Sequence, residues 1–281
     1  MHRRDFLIGG AASVAASPAY ADMPRPFRQN LWPPMARRAE FIAWMAANRG
    51  EDANFLGPRF DRFQELLSFN DLWTPAEKRA FLMAPREEFV LPEDRAQAYA
   101  AHYLDIGFGV SITPPGVVGR MTSVLGIRAG DKVLEIGTGS GFQSAMLSYL
   151  TSRLWSIEII AELAARTRGI YDALIDKGYS EYGAISTQSA DGYYGWEDAA
   201  PFDKIIVTCG IDHIPPPLLQ QLKPSGIMVI PVGPPGAQHI LKVVKTTGAD
   251  GIVTVARSDI FGGKVIPFVP LSGGHQSGGD D

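Results

Sequence analysis

The sequence predicts an α/β protein built on a doubly wound, mostly parallel sheet, preceded by a helical cap. Three observations carry that expectation. Short apolar runs at Val133–Ile136, Leu154–Ile157, Ala184–Thr187 and Phe202–Thr208 alternate with helical patterns, the rhythm of consecutive β-α-β units. The first run leads straight into Gly137, Gly139 and Gly141, a turn whose backbone can approach a ligand closely. Before residue 100 the apolar residues fall instead at helical spacing.

Composition sets the bounds. With 281 residues, 46% of them hydrophobic, the chain can bury one sizeable core with attachments. A net charge of −4 gives no support to a nucleic-acid partner. Cys209 is the only cysteine, so no intramolecular disulfide and no CxxC metal site exist, and a small buried residue is expected there. The five histidines include His2 and His275 and show no metal-ligand spacing, so no metal is expected. No apolar run reaches the about 18 residues of a membrane span, and a monomer is expected.

Residues 1–21 read as a signal peptide. Arg3-Arg4 opens a basic region, an apolar stretch runs through Ala16, and Ala19-Tyr20-Ala21 forms a cleavage site. The paired arginines point to twin-arginine export, which places the chain in the periplasm, or in the cytoplasm if the signal is not used. Residues 22–36 hold Pro24, Pro26, Pro33 and Pro34 and read as an extended linker. A helix over Arg37 to Asn48 buries Phe41, Trp44 and Met45, and a second over Arg59 to Phe69 buries Phe60, Phe63, Leu66 and Leu67. Thr74-Pro75-Ala76-Glu77 is a capped start for a helix to about Met83. Pro85 to Val90 and the glycine- and proline-bearing Asp105 to Pro115 complete a cap and substrate-side region over 37–115. Val117, Met121, Val124 and Leu125 then form a helix face that Gly130 ends, opening a sheet domain over 116–271. The glycine-rich residues 272–281 are expected to be a disordered tail.

The spacing of the glycine turn is informative. A dinucleotide fingerprint needs a glycine where Phe142 stands. What stands from Glu135 to Gly141 is E-x-G-x-G-x-G, which resembles the loop of S-adenosylmethionine (SAM) methyltransferases. Gly137, Thr138, Gly139, Ser140 and Gly141 are then cofactor-binding candidates. Glu158 ends the second strand, where an acid accepts hydrogen bonds from ribose hydroxyls. Asp191 and Gly192 follow the third strand, where a loop reaches the adenine, although Asp-Gly is also a common turn pair. Thr208 ends the fourth strand. Glu135, inside a strand, needs partners if buried; the glycine loop or the cofactor's amino group is expected to supply them. Gln143 either faces the methionine end of SAM or caps its helix.

The pieces PREEFV (85–90), GFGVSITPP (107–115), KVLEIGTGSGFQ (132–143), SIE (156–158), DGYYGW (191–196), FDKIIVT (202–208), IPPPLLQQLKPSG (214–226), VIPVG (229–233) and PFVPL (267–271) occur in this order. Together they resemble the protein-L-isoaspartate O-methyltransferase family over roughly residues 37–271, with an apparent insertion near 51–73. The resemblance implies a Rossmann-like sheet with an antiparallel last strand, in keeping with the hairpin-like Ile240–Val244 and Ile252–Val255. It also implies SAM-dependent methylation of the α-carboxylate of L-isoaspartyl residues in damaged proteins or peptides, the first step of repair. That carboxyl has a pKa near ~3.5, so it needs no general base, only in-line positioning and exclusion of water. The family carries a Ser-Gln pair where Thr113 and Pro114 stand, with the hydroxyl in the active site. Thr113 is therefore the catalytic candidate, with a plain turn role as the alternative, whereas Pro114 loses the amide side chain and a backbone N–H. His213, before three prolines, is left unassigned. The Thr113-Pro114 departure and the insertion leave open a diverged methyltransferase with another peptide or small-molecule substrate. The export signal leaves open a non-catalytic binding protein of the same fold.

Overall fold

The computed structural model describes residues 31–248, 252–271 and 275. The expected signal peptide, and most of the expected linker and tail, lie outside the described residues.

Three helices open the chain: α1 (Arg38–Arg49), α2 (Ala53–Ser68) and α3 (Pro75–Met83). The capping box of α3 forms, with Thr74 N donating to Glu77 Oε2 at 2.9 Å and Glu77 N to Thr74 Oγ1 at 3.3 Å. Helix α2 starts earlier than the expected Arg59. The Asp52 side chain caps it by accepting from Asn54 N, Leu56 is buried in the core, and Pro58 is accommodated inside the helix. Tertiary anchoring here overrides a local breaker. Arg59, fully buried, pairs with Glu51 at 2.6 Å and Glu87 at 2.7 Å and donates to the Tyr99 hydroxyl at 2.7 Å. Residues of the apparent insertion are thereby tied to the PREEFV motif.

A short hairpin, β1 (Leu104–Asp105) with β2 (Ser111–Ile112), leads into α4 (Pro115–Leu125). Gly126, at φ 61°, ends α4, four residues before the expected stop. The sheet then forms from β3 (Lys132–Ile136), β4 (Arg153–Glu158), β5 (Ile185–Ser189), β6 (Phe202–Val207), β7 (Leu222–Val232), β8 (His239–Thr247) and β9 (Val253–Asp259). Helices α5 (Phe142–Ser148), α6 (Ala161–Asp176) and α7 (Pro216–Gln221) connect them.

The strand order is β5-β4-β3-β6-β7-β8-β9. The first five in that order are parallel, β8 runs antiparallel to β7, and β9 returns antiparallel to β8. The reversed strand is thus the penultimate one. Strand β3 is buried along its whole length, as a central parallel strand covered on both faces must be. Its successor β4 lies on one side and β6 on the other, so the order switches at β3 and a crevice opens at its carboxyl end. One continuous core joins Phe41 and Phe63 of the cap to Val133 and Phe142 of the sheet domain, which fixes the cap beside that crevice.

Candidate active site

The crevice is shaped by the turn after β3. Gly137 and Gly141 have φ of 92° and 94°, and a Cβ on either would lie 2.6 Å from the Thr208 hydroxyl or the Tyr171 hydroxyl, respectively. Those two glycines serve the packing of the turn against the protein. Gly139, at φ 53°, differs: the nearest atoms to its absent Cβ, Gly137 O and Ile106 Cδ1, are 3.9 and 4.0 Å away, ordinary contact distances that leave its bare face uncrowded.

Side chains hold this turn from behind. Glu158 accepts from Gly139 N at 2.8 Å through Oε2 and from Ile160 N at 3.0 Å through Oε1. The Thr138 and Ser156 hydroxyls lie 2.6 Å apart, and Thr167 donates to the Gly139 carbonyl at 2.7 Å. The Thr208 hydroxyl lies 2.5 Å from the Gly137 carbonyl and 2.9 Å from that of Ile136.

Glu135 finds different partners from those expected. Its Oε2 accepts from Ser156 Oγ at 2.6 Å and from Ser144 Oγ, while Oε1 has no partner. No donor comes from the glycine loop, because Glu135 is fully buried beneath it. Burial pushes this carboxyl up to about 7, the response of an acid deprived of solvent. Gln143 is not a cap: Gly141 occupies that position without a side-chain bond, and Gln143 Nε2 donates to Thr122 Oγ1 at 2.9 Å, bridging α5 to α4.

Asp191 accepts from Tyr193 N at 2.9 Å through Oδ1, and its Oδ2 meets His275 Nε2 at 2.7 Å. The His275 ring stacks on Tyr193 at 4.0 Å. Gly192 is required for close packing, since a Cβ there would lie 2.4 Å from Ile136 Cγ2. On the same loop, Tyr193 Oη lies 3.1 Å from His213 Nε2, and His213 Nδ1 lies 2.6 Å from Asp212 Oδ1.

One cavity of about 990 Å³, counting its open mouth, gathers most of the expected residues. Thr113, Gly137, Thr138, Gly139, Ser140, Gln143, Glu158, Gly192 and Thr208 line it, whereas Glu135, Gly141 and Asp191 stand outside the lining. The lining also includes Tyr103, Met121, Phe142, Cys209, Phe268 and Leu271, to which the sequence reading gave no place in the site. The far wall, Phe268–Leu271, is seated by backbone bonds from Gly210 N to Val269 O at 2.8 Å and from Leu271 N to Gly210 O at 2.7 Å. The buried Gln238 side chain adds a bond from Phe268 N at 2.9 Å. Cys209 therefore faces a cavity rather than serving only as core.

The chemistry of the lining is restricted. Its titratable residues are Tyr103, Glu158 and Cys209. Burial pushes the Tyr103 phenol up to about 12 and raises the Cys209 thiol well above its usual range, so both stay protonated at neutral pH. Both oxygens of Glu158 are engaged by backbone amides. Glu158 is therefore the one acid among the described lining residues, and each of its oxygens is turned to the backbone of the turn or of the segment that follows β4. Among the described residues no cluster of His, Cys, Asp or Glu is arranged to hold a metal ion, and no helix is long and apolar enough to cross a membrane.

Comparison with known proteins completes the picture. A family model described as protein-L-isoaspartate(D-aspartate) O-methyltransferase matches residues 72–276. Protein-L-isoaspartate O-methyltransferase 1 of Nitrosospira multiformis is 46% identical over 180 residues, covering 63% of this chain and 70% of that one. The protein-L-isoaspartate O-methyltransferase of Anaeromyxobacter dehalogenans is 44% identical over 187 residues, covering 66% and 84%. Among solved structures, a protein-L-isoaspartate O-methyltransferase superposes with a TM-score of 0.63 at 23% identity, over 78% of this chain and 67% of that one. A Plasmodium falciparum relative bearing that name, in complex with S-adenosyl-L-homocysteine, gives a TM-score of 0.61 at 16% identity over 75% and 97%. These two likenesses bear on the fold.

Proposed function

The chain belongs to the protein-L-isoaspartate O-methyltransferase family, and from that membership we propose that it methylates the α-carboxylate of L-isoaspartyl residues in proteins or peptides. The observation that carries this reading is a single cavity shared by the glycine turn, Glu158 and Thr113. The donor set fits SAM: an uncrowded approach at Gly139, an acid at the end of β4, and a glycine-bearing loop after β5. When bound, SAM supplies the methyl group as a sulfonium electrophile.

In this assignment the turn Gly137–Gly141, with Thr138 and Ser140, holds the amino-acid end of SAM. Glu158 accepts the ribose hydroxyls, and Asp191 with Gly192 contacts the adenine. Gln143 and Thr208 border the methionine end, and Glu135 supports the turn from beneath. Thr113 donates its hydroxyl to the substrate carboxylate, while Met121, Phe268 and Leu271 keep water from it. Excluding water strengthens attraction between the ionised carboxylate and the sulfonium and holds them in line. The chain is proposed to act as a monomer.

The test uses residues 22–281, labelled SAM and two peptides that differ only in isoaspartate against aspartate at one position. Base-labile label on the isoaspartyl peptide alone is the expected result. SAM binding without label on either peptide overturns the substrate assignment and favours a diverged methyltransferase, for which Pro114 is the motivating departure.

We further propose that residues 1–21 direct twin-arginine export, supported by Arg3-Arg4 and the Ala19-Tyr20-Ala21 site. A fluorescent reporter fused behind residues 1–21 should reach the periplasm, and Arg3→Lys with Arg4→Lys should retain it inside. Retention of the unmutated fusion would make the enzyme cytoplasmic.

A further inference from the structure

The PREEFV motif is part of the family resemblance, yet none of its residues lines the cavity. Its arginine is the unusual member. Arg86 is fully buried, and no carboxylate among the described residues bonds to it. The neighbouring Glu87 is turned to Arg59, which has Glu51 as well. The cap thus surrounds Arg59 with two carboxylates and places none on Arg86. An uncompensated buried cation is unfavourable as mere packing, so a purpose for its position is worth seeking.

What Arg86 touches points to that purpose. Its Nε donates to the Ala98 carbonyl at 2.6 Å and its Nη2 to the Thr113 carbonyl at 2.8 Å. Its guanidinium carbon lies 4.8 Å from the centre of the Phe142 ring, and Nη1 has no partner. Burial lowers the guanidinium to about 9, which leaves it a cation at neutral pH. The α4 amides Val117 N and Val118 N bond to Pro114 O rather than to the Thr113 carbonyl. Phe142 is the first residue of α5, directly after the glycine turn, and lines the cavity as Thr113 does. One side chain therefore touches both the element that shapes the donor site and the residue at the acceptor site.

We propose that Arg86 is a positioning residue for methyl transfer: by gripping the Thr113 carbonyl and packing on Phe142 it sets the Thr113 hydroxyl against the donor turn, and its unpaired charge favours a carboxylate over the neutral ester. The inference rests on the substrate assignment proposed above. It also accounts for product release, since the methyl ester loses the charge that the buried cation attracts.

Two variants test it. Arg86→Lys keeps the charge but replaces the planar fork, which reaches the two carbonyls from Nε and Nη2, with a single nitrogen; Arg86→Met loses both. In Arg86→Lys the kcat on the isoaspartyl peptide should fall by roughly 10–100-fold, with the Kd for SAM within about twofold of wild type. In Arg86→Met the KM for the peptide should rise by a further factor of about ten, and the methyl-ester peptide should inhibit more strongly relative to the free carboxylate. If the methionine variant does not fold, the lysine variant decides alone. Wild-type kinetics in folded Arg86→Lys would overturn the proposal. So would a loss of SAM affinity in step with kcat, the sign of a merely structural role. Hydrogen exchange at Ile112, Val117 and Val118, beside Thr113, gives a readout independent of turnover and should quicken in Arg86→Lys. An inactive wild-type enzyme would refute the substrate assignment alone, leaving that exchange measurement to judge the grip of Arg86 on Thr113.

Discussion

The Glu158 carboxylate accepts the Gly139 amide at 2.8 Å, so the acid ending β4 and the middle glycine of the turn after β3 form one unit. Replacing Gly139 by valine puts a branched side chain on the cavity-lining glycine of that turn that is least crowded and into a left-handed conformation unfavourable by about 1–2 kcal/mol. SAM binding measured by calorimetry should vanish while the circular-dichroism spectrum stays that of a folded protein. Retained affinity would move the cofactor site elsewhere.

Glu158→Gln keeps an acceptor but removes the charge. A hydrogen bond to a charged group contributes about 1.5–3 kcal/mol, so the Kd for SAM should rise by roughly 10–100-fold. The KM for a saturating-SAM peptide titration should stay close to wild type. A variant that binds SAM normally would take Glu158 out of ribose recognition.

Thr113→Val tests the hydroxyl at nearly constant volume. Its backbone contact to Arg86 uses the carbonyl and survives the change, so only the side-chain donor is lost. The kcat on an isoaspartyl peptide should drop by about tenfold or more, with SAM affinity unchanged. Equal turnover would reduce Thr113 to a turn residue before two prolines.

The parts of this site that were legible in the sequence are those whose residues are adjacent along the chain. The strand, glycine turn and helix around Gly137–Gly141, the acid ending β4 and the capping box at Thr74 all follow local rules of conformation and spacing. The partners of Glu135 do not. Ser156 faces it because the parallel register pairs Glu135 with that residue on β4, and Ser144 reaches it from the next helix. Neither relation has a sequence period. The same holds for the wall at Phe268–Leu271, seated against Gly210 from far along the chain, and for the early start of α2, where the Asp52 cap and the burial of Leu56 outweigh Pro58. Arg86 was visible as part of a motif, but its carbonyl partners were not, because any extended segment presents carbonyls.

Glu135 gives a pH dependence with a definite sign. Burial raises its carboxyl from 4.5 to about 7 in the folded protein, so between those values the native state holds a proton that the unfolded chain lacks. Its contribution to stability is whole below the unfolded value and is lost as pH rises through about 7, by up to about 3 kcal/mol. Urea unfolding at pH 5 and pH 8 should therefore show Glu135→Gln gaining on the wild type at the higher pH. Parallel slopes in the two proteins would place Glu135 in the ordinary carboxylate range.

The wall that closes the cavity belongs to a stretch synthesised after every strand of the sheet. A nascent chain that has reached β9 holds all seven strands, the glycine turn and Glu158, but Gly210 still lacks the bonds to Val269 and Leu271 that complete the far side. The order of translation thus separates the moment at which the sheet can form from the moment at which it can enclose a ligand. A ribosome-bound chain stalled with residue 262 just outside the exit tunnel should fold its sheet and hold SAM only loosely, and tight retention should begin once the wall has emerged as well.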